Sequence, residues 1–286
     1  MKTVIIKQGG GIGDILFSLK IAKILHEEYK CLIVWPLHSY VYEQINEYIK
    51  IPYVKWENEK NYDWLNNYKY FSKSPSLISS WVGPNPVKVN DDTIIFPLCE
   101  AAQTPGGEYK GGSIMCSKYQ TFNFSFENWQ DSILIQRNKE KEEELFYKVL
   151  QLSDKDDYIF VNKKYNRKIG IPIDSLYMSD EVIKPVGRVV EGRTIPGFNI
   201  FDWLKVYENA LDIHIVSSSI FYILDSLEKK LPEIKIYNRD DNNDLSHLHP
   251  IKPTLRQKWK YVETEKTPTI PDSYLLEMIK CKFSKQ

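Results

Sequence analysis

The chain has 286 residues, enough for two domains of roughly 100–150 residues each. Lys+Arg and Asp+Glu balance at 38 each, so it lacks the basic excess of a protein that clamps a long phosphate backbone. Its 42% hydrophobic and 27% charged content predicts a folded soluble protein, and no apolar run approaches the ~20 residues of a transmembrane segment.

The N-terminus, MKTVIIKQGGGIGD, is too short and too broken by glycine for a signal peptide, and Thr3–Ile6 reads as a first buried strand. From Ile15 the period becomes helical, with Ile15, Leu16, Leu19, Ala22 and Leu25 on one side. Cys31–Trp35 then predicts a second strand, Val41–Ile49 a helix, Tyr53–Trp56 a third strand and Asp92–Phe96 a later one. The glycines and proline of Leu98–Gly112 predict a long loop at the strand ends. Lys139–Leu152 is a charged helical segment, and a domain boundary falls within 136–156.

A second alternation follows. Tyr158–Val161, Val186–Val190, Ile213–Val216 and Ile234–Tyr237 read as strands, and 198–211 and Ile220–Lys229 as helices. Strand–helix order twice over predicts two doubly wound α/β domains, over 1–136 and 157–270, with a helix and tail over 271–286. Cys31, Cys99, Cys116 and Cys281 are scattered without a CxxC pair, as expected of reduced thiols in a cytoplasmic setting.

The segment KQGGGIGDILFSL is the most informative. Gly10, Gly11 and Gly13 let backbone come close to a ligand just before a helix N-terminus. The dinucleotide pattern G-x-G-x-x-G fails, because Asp14 stands where its third glycine belongs, and the Walker pattern fails as well. An aspartate at a helix mouth repels a diphosphate bound there, yet is itself stabilised by the helix dipole and can take a proton from an attacking hydroxyl. The same residue also reads as a charge on the first helical turn, and the glycines as a tight turn.

The run G-G-G-I-G-D-I-L resembles the heptosyltransferase-like glycosyltransferases, whose first βα turn carries a G-x-G-D-x-L type of motif. The resemblance implies a GT-B fold, two Rossmann-like domains facing a central cleft, with Asp14 as general base of an inverting, metal-independent transfer. It also implies an N-terminal acceptor domain, with Gly10, Gly11 and Gly13 on the acceptor-side loop, and a C-terminal domain that holds a nucleotide diphosphate sugar. In that second domain Ser217, Ser218 and Ser219 join a strand to a helix and can present N–H and hydroxyl donors to phosphate, or simply cap the helix. The family's acidic residue and glycine are missing from this triplet. Lys163, Lys164 and Arg167 follow the domain's first strand, where the resemblance puts a basic phosphate ligand; Arg188, Glu191 and Arg193 form a second set for base and ribose. His214, inside an apolar strand, reads as a core histidine.

Aromatics crowd Trp56, Tyr62, Trp64, Tyr68, Tyr70, Phe71 and Trp81, where they can stack on sugars or bases or build a core. Neither the histidine spacing nor any DxD context suggests a metal ligand set, and no cofactor is implied beyond the sugar nucleotide as co-substrate. The expected activity is hexosyl or pentosyl transfer to a hydroxyl of a glycan or lipid-linked acceptor. Two alternatives stay open: a viral-type enzyme that glycosylates a hydroxymethylated base in DNA, and a non-catalytic sugar-nucleotide-binding module. The sequence carries no sign of oligomeric state.

Overall fold

A computed structural model describes residues 2–8, 10–67, 86–98, 114–120, 122–168, 171–178, 183, 187–239 and 245–262. Gly9, Tyr68, Tyr70, Phe71, Trp81, residues 99–112 of the loop expected over Leu98–Gly112, and the helix and tail expected over 271–286 lie outside these residues.

Val4, Ile5 and Ile6 are all buried, which suits the interior parallel strand β1 (Thr3–Ile6). Helix α1 (Ile12–Tyr29) begins three residues before its apolar period does, because Gly11 takes the extended N-cap conformation with no side chain bonded to the helix mouth. It ends where Lys30 turns left-handed, φ 49° and ψ 48°. Strand β2 (Leu32–Leu37), helix α2 (Ser39–Tyr48), strand β3 (Val54–Asn58), the short β4 (Val87–Lys88) and β5 (Thr93–Phe96) complete the first sheet. Its order is β3-β2-β1-β5-β4, parallel except for β4. The chain steps outward from β1 to β3 and then returns to the other side of β1. Ligands of open α/β sheets bind at such a reversal, beyond the C-terminal ends of the two strands, here β1 and β5. Helix α3 (Ile114–Gln120) is fixed to α1 by the Tyr119 hydroxyl, which donates to the Phe17 carbonyl.

The charged segment expected as one helix divides into α4 (Lys139–Glu143) and a π turn over Glu144–Val149, widened where consecutive Leu145 and Phe146 both enter the core. After it come β6 (Tyr158–Asn162), β7 (Lys164–Lys168), β8 (Ile171–Asp174) and β9 (Arg188–Glu191). Strands β7 and β8, which the sequence did not predict, pair antiparallel in a separate two-stranded sheet; the buried Tyr165 gives the first strand an inward anchor. The helix expected over 198–211 is a 3-10 turn, Ile200–Trp203, running into α5 (Leu204–Asn209). An Asn199–Asp202 capping box sets its start. Strand β10 (Asp212–Val216), helix α6 (Ser219–Ser226), strand β11 (Ile234–Tyr237) and strand β12 (Trp259–Val262) follow.

This second sheet is wholly parallel, ordered β12-β11-β10-β6-β9. With β9 on one side of β6 and β10 on the other, its reversal lies between the C-terminal ends of β6 and β10. The protein is thus a mixed α/β structure with two sheets dominated by parallel strands.

Buried apolar residues of both sheets belong to one continuous cluster. Phe17 and Trp129 from the first half meet Tyr222 of the second, with ring centroids 5.8 and 5.6 Å away, and Tyr119 packs edge-on against Phe17. Polar ties cross the same boundary. Gln130 Nε2 donates to the buried Asp225 carboxylate at 2.7 Å, and that carboxylate also accepts from Trp259 Nε1 and the backbone of Arg256 and Gln257. Among the described residues no helix is long and apolar enough to cross a membrane.

Candidate active site

The turn between β1 and α1 uses its glycines for different physical reasons. A Cβ on Gly10 would stand 2.6 Å from Gln8 Nε2 and 3.3 Å from Asp14 Oδ2, so a side chain there would displace the Gln8 amide and crowd the carboxylate. A Cβ on Gly11 would meet Asp14 Oδ2 at 3.6 Å, an ordinary contact. A Cβ on Gly13 would lie 2.8 and 2.9 Å from the Tyr222 ring and 3.4 Å from Ser219 Cα. Gly13, expected on the acceptor-side loop, is therefore the residue that lets the first turn of α1 rest on the first turn of α6.

Asp14 follows immediately, within the first turn of α1, with its side chain one-third exposed. Its Oδ1 accepts a hydrogen bond from Lys118 Nζ at 2.5 Å. The Lys118 side chain is 1% exposed, and a charge buried so deeply is tolerated only with a partner that neutralises it. Beside this pair, Gln8 is buried with its Oε1 lacking a hydrogen-bond partner, while its carbonyl accepts from Trp35 Nε1 at 3.0 Å.

On the facing side the three serines sit at the reversal of the second sheet. Ser217 follows β10 and donates its N–H to the Tyr237 carbonyl, Ser218 is the N-cap of α6, and Ser219 opens the helix. The Ser218 side chain makes no capping bond, and its buried Oγ has no partner. The plain capping role is therefore not the one this hydroxyl performs. The Arg239 guanidinium stands over the same turn, its Nε donating to the Ser217 carbonyl. Burial pushes the Tyr222 hydroxyl up, the Asp14 charge adds to that shift and the Arg239 charge opposes it. The carboxylate and the guanidinium thus both act on the phenol that packs against Gly13.

Two segments about two hundred positions apart in the chain, the glycine turn and the serine turn, meet here.

Two solved glycosyltransferases are similar in fold. One is described as the glycosyl transferase family 9 protein from Veillonella parvula DSM 2008. It shares 11% identity over 98% of this chain and 89% of its own, with a TM-score of 0.48. The other is the iron-containing dodecameric glycosyltransferase TibC from enterotoxigenic E. coli H10407, at 8% identity over 83% of this chain and 58% of its own, with a TM-score of 0.40. No protein-family model matches the chain, and no curated protein does.

The other residues singled out in the sequence distribute unevenly. Lys163 and Glu191 lie at the C-terminal ends of β6 and β9, with Lys163 Nζ 3.8 Å from Glu191 Oε1, and exposed Arg193 follows two residues on. Lys164 is exposed at the start of β7, and Arg167 lies further along that strand. Arg188 is the exception. It pairs with Tyr158 at the N-terminal end of the sheet, where its guanidinium donates to Asp156 and to the carbonyls of Leu150 and Gln151. Those contacts hold it at the end of the strands opposite the serine turn.

His214 is a core residue, as its apolar strand suggested. It is 3% exposed, with Nδ1 2.8 Å from the Tyr237 hydroxyl and Nε2 3.0 Å from Asp212 Oδ2. Trp56 is core as well, donating to the Ile49 carbonyl. Tyr62 and Trp64 lie beside each other at 6.2 Å, with Trp64 partly exposed. Sequence reasoning missed Lys118, Arg239, Tyr222 and Gln8. Only Gln8 had a visible signal, its place directly before the glycines.

Proposed function

We propose that the chain is a GT-B-type, metal-independent glycosyltransferase that moves a sugar from a nucleotide diphosphate sugar to an acceptor hydroxyl, with inversion. The observation that carries this reading is the contact of the Asp14 turn with the Ser219 turn through Gly13 and Tyr222. It brings a helix-mouth carboxylate beside a second, uncapped helix mouth that an arginine overhangs.

A helix N-terminus and a guanidinium are the groups that hold a diphosphate and stabilise the charge it gains on leaving. They supply the positive charge that a metal ion supplies in other sugar transfers. In this reading Ser217, Ser218 and Ser219 hold the diphosphate. Lys163, Lys164, Arg167, Glu191 and Arg193 line the donor side for phosphate, base or ribose, and Arg188 is left out because it stands at the wrong end of the strands. Asp14 accepts the proton of the incoming hydroxyl as its oxygen bonds to the anomeric carbon and the bond to phosphate breaks. The segments over 1–136 and 157–270 then act as acceptor and donor domains, with the site between them.

A thermal-shift panel of nucleotide sugars and their nucleoside diphosphates tests this. A donor present at about 100 times its dissociation constant adds about 2.7 kcal/mol, an easily measured shift, and the nucleotide that gives it identifies the base. If no sugar nucleotide shifts the transition, the reading is wrong.

A further inference from the structure

Asp14 does not stand alone, and its partner is a residue with no other visible purpose. Lys118 is 1% exposed and reaches Asp14 Oδ1 from α3. Its ammonium also lies 3.8 Å from the Met115 sulfur, a weak acceptor. Neighbouring Tyr119 ties α3 to α1 through the Phe17 carbonyl, so the ammonium is carried on a helix locked to the one that bears the aspartate. A lysine placed for stability alone belongs on the surface; an apolar side chain of similar volume fills a buried site at no electrostatic cost.

The two carboxylate oxygens of Asp14 are thereby made unequal. Oδ1 is occupied by Lys118, whereas Oδ2 faces the glycine turn, 3.3 and 3.6 Å from where Cβ atoms on Gly10 and Gly11 would stand. We infer that Lys118 is the positioning residue of the site. It holds the carboxylate in one rotamer and leaves Oδ2, in the space kept clear by Gly10, as the oxygen that receives the acceptor's proton. The inference rests on the proposed transfer reaction. In that step the hydroxyl oxygen bonds to the anomeric carbon, the bond from that carbon to phosphate breaks, its electron pair goes to the departing diphosphate, and the proton goes to Oδ2. Negative charge moves from Asp14 to the leaving group.

Lys118→Met, Asp14→Asn and the double variant test this, using the sugar nucleotide identified by the thermal-shift panel. Hydrolysis of that sugar nucleotide by water serves as the reaction, so no acceptor need be known. Lys118→Met is expected to lower kcat at least tenfold while the dissociation constant of the nucleoside diphosphate changes by less than about threefold. Adding Lys118→Met to Asp14→Asn is expected to cause no further loss, because a residue acting only through Asp14 has nothing left to act on. A further loss in the double variant, or a tenfold weaker nucleoside diphosphate in Lys118→Met, overturns the inference and makes Lys118 a ligand of the donor. If Lys118→Met does not fold, the comparison of Asp14→Asn with the double variant still decides, since both charges are removed together. Wild-type protein whose transition no sugar nucleotide shifts defeats the proposed function itself; wild-type turnover matched by Lys118→Met defeats the positioning role alone.

Discussion

Tyr48 donates a hydrogen bond to Asp202 Oδ1 at 2.5 Å, joining α2 of the first half to the 3-10 turn of the second. The Tyr48 ring stacks on Phe201, and Asp202 is fully buried, its other oxygen accepting from the Asn199 N–H. Removing one partner of a buried hydrogen bond costs more than the bond itself contributes, because the other partner is left without solvent. Tyr48→Phe is expected to destabilise the fold by about 1–3 kcal/mol. Urea unfolding with an unchanged m-value checks this.

Gly13→Ala is the sharpest test of how the halves meet. Its Cβ would press on the Tyr222 ring and the Ser219 backbone, so α1 and α6 must move apart. Overpacking of this kind costs about 1–3 kcal/mol, and the thermal shift given by a sugar nucleotide should shrink with it. Gly11→Ala, with only an ordinary contact to Asp14, should keep both the stability and the shift. Equal behaviour of the two variants in melting curves argues against the contact.

Asp14→Asn keeps the shape of the side chain but neither accepts the acceptor's proton nor neutralises the buried Lys118, so some loss of stability accompanies the loss of transfer. Transfer should fall by about 100-fold or more, in line with loss of a general base, while nucleoside diphosphate binding stays nearly intact. A variant that keeps most of its turnover removes the general-base role. Isothermal titration alongside a turnover assay separates the two effects.

The His214 cluster gives the fold a dependence on pH. Burial holds His214 below its usual value, outweighing the hydrogen bond and charge of Asp212, which raise it. The native state therefore binds fewer protons than the unfolded chain as pH falls below about 6.5, the value of an unperturbed histidine. Stability present above that pH is lost as pH drops toward the lower folded value. Asp212 adds a loss at lower pH. Burial pushes it up, but hydrogen bonds from Lys235 and His214 together with their charges hold it below the usual carboxylate value, so its contribution disappears as pH falls through that range. His214→Asn should flatten the decline in melting temperature between pH 7 and 5.

The legible parts of the sequence were those with a local signature. The apolar runs at Thr3–Ile6 and Ile234–Tyr237 became parallel strands, and the serine triplet lies at a strand–helix junction, because short buried strands and small junction residues advertise themselves within a few positions. Lys164–Lys168 gave no such signal, since Tyr165 is the one apolar residue of its sequence, KYNRK. Lys118 was invisible for a different reason. Its meaning lies in Asp14, 104 positions away, and nothing in SIMCSKYQ distinguishes a buried cation from a surface one. Arg239 likewise gains its role only when β11 ends beside the serine turn.

The aromatic seam of Phe17, Tyr119, Trp129 and Tyr222 has a consequence for how the molecule comes apart. Two sheets that bury their residues in one continuous core cannot melt one after the other without wetting that seam. A single cooperative transition is therefore expected, with calorimetric and van't Hoff enthalpies equal. Each half made separately would present Trp129 or Tyr222 to water.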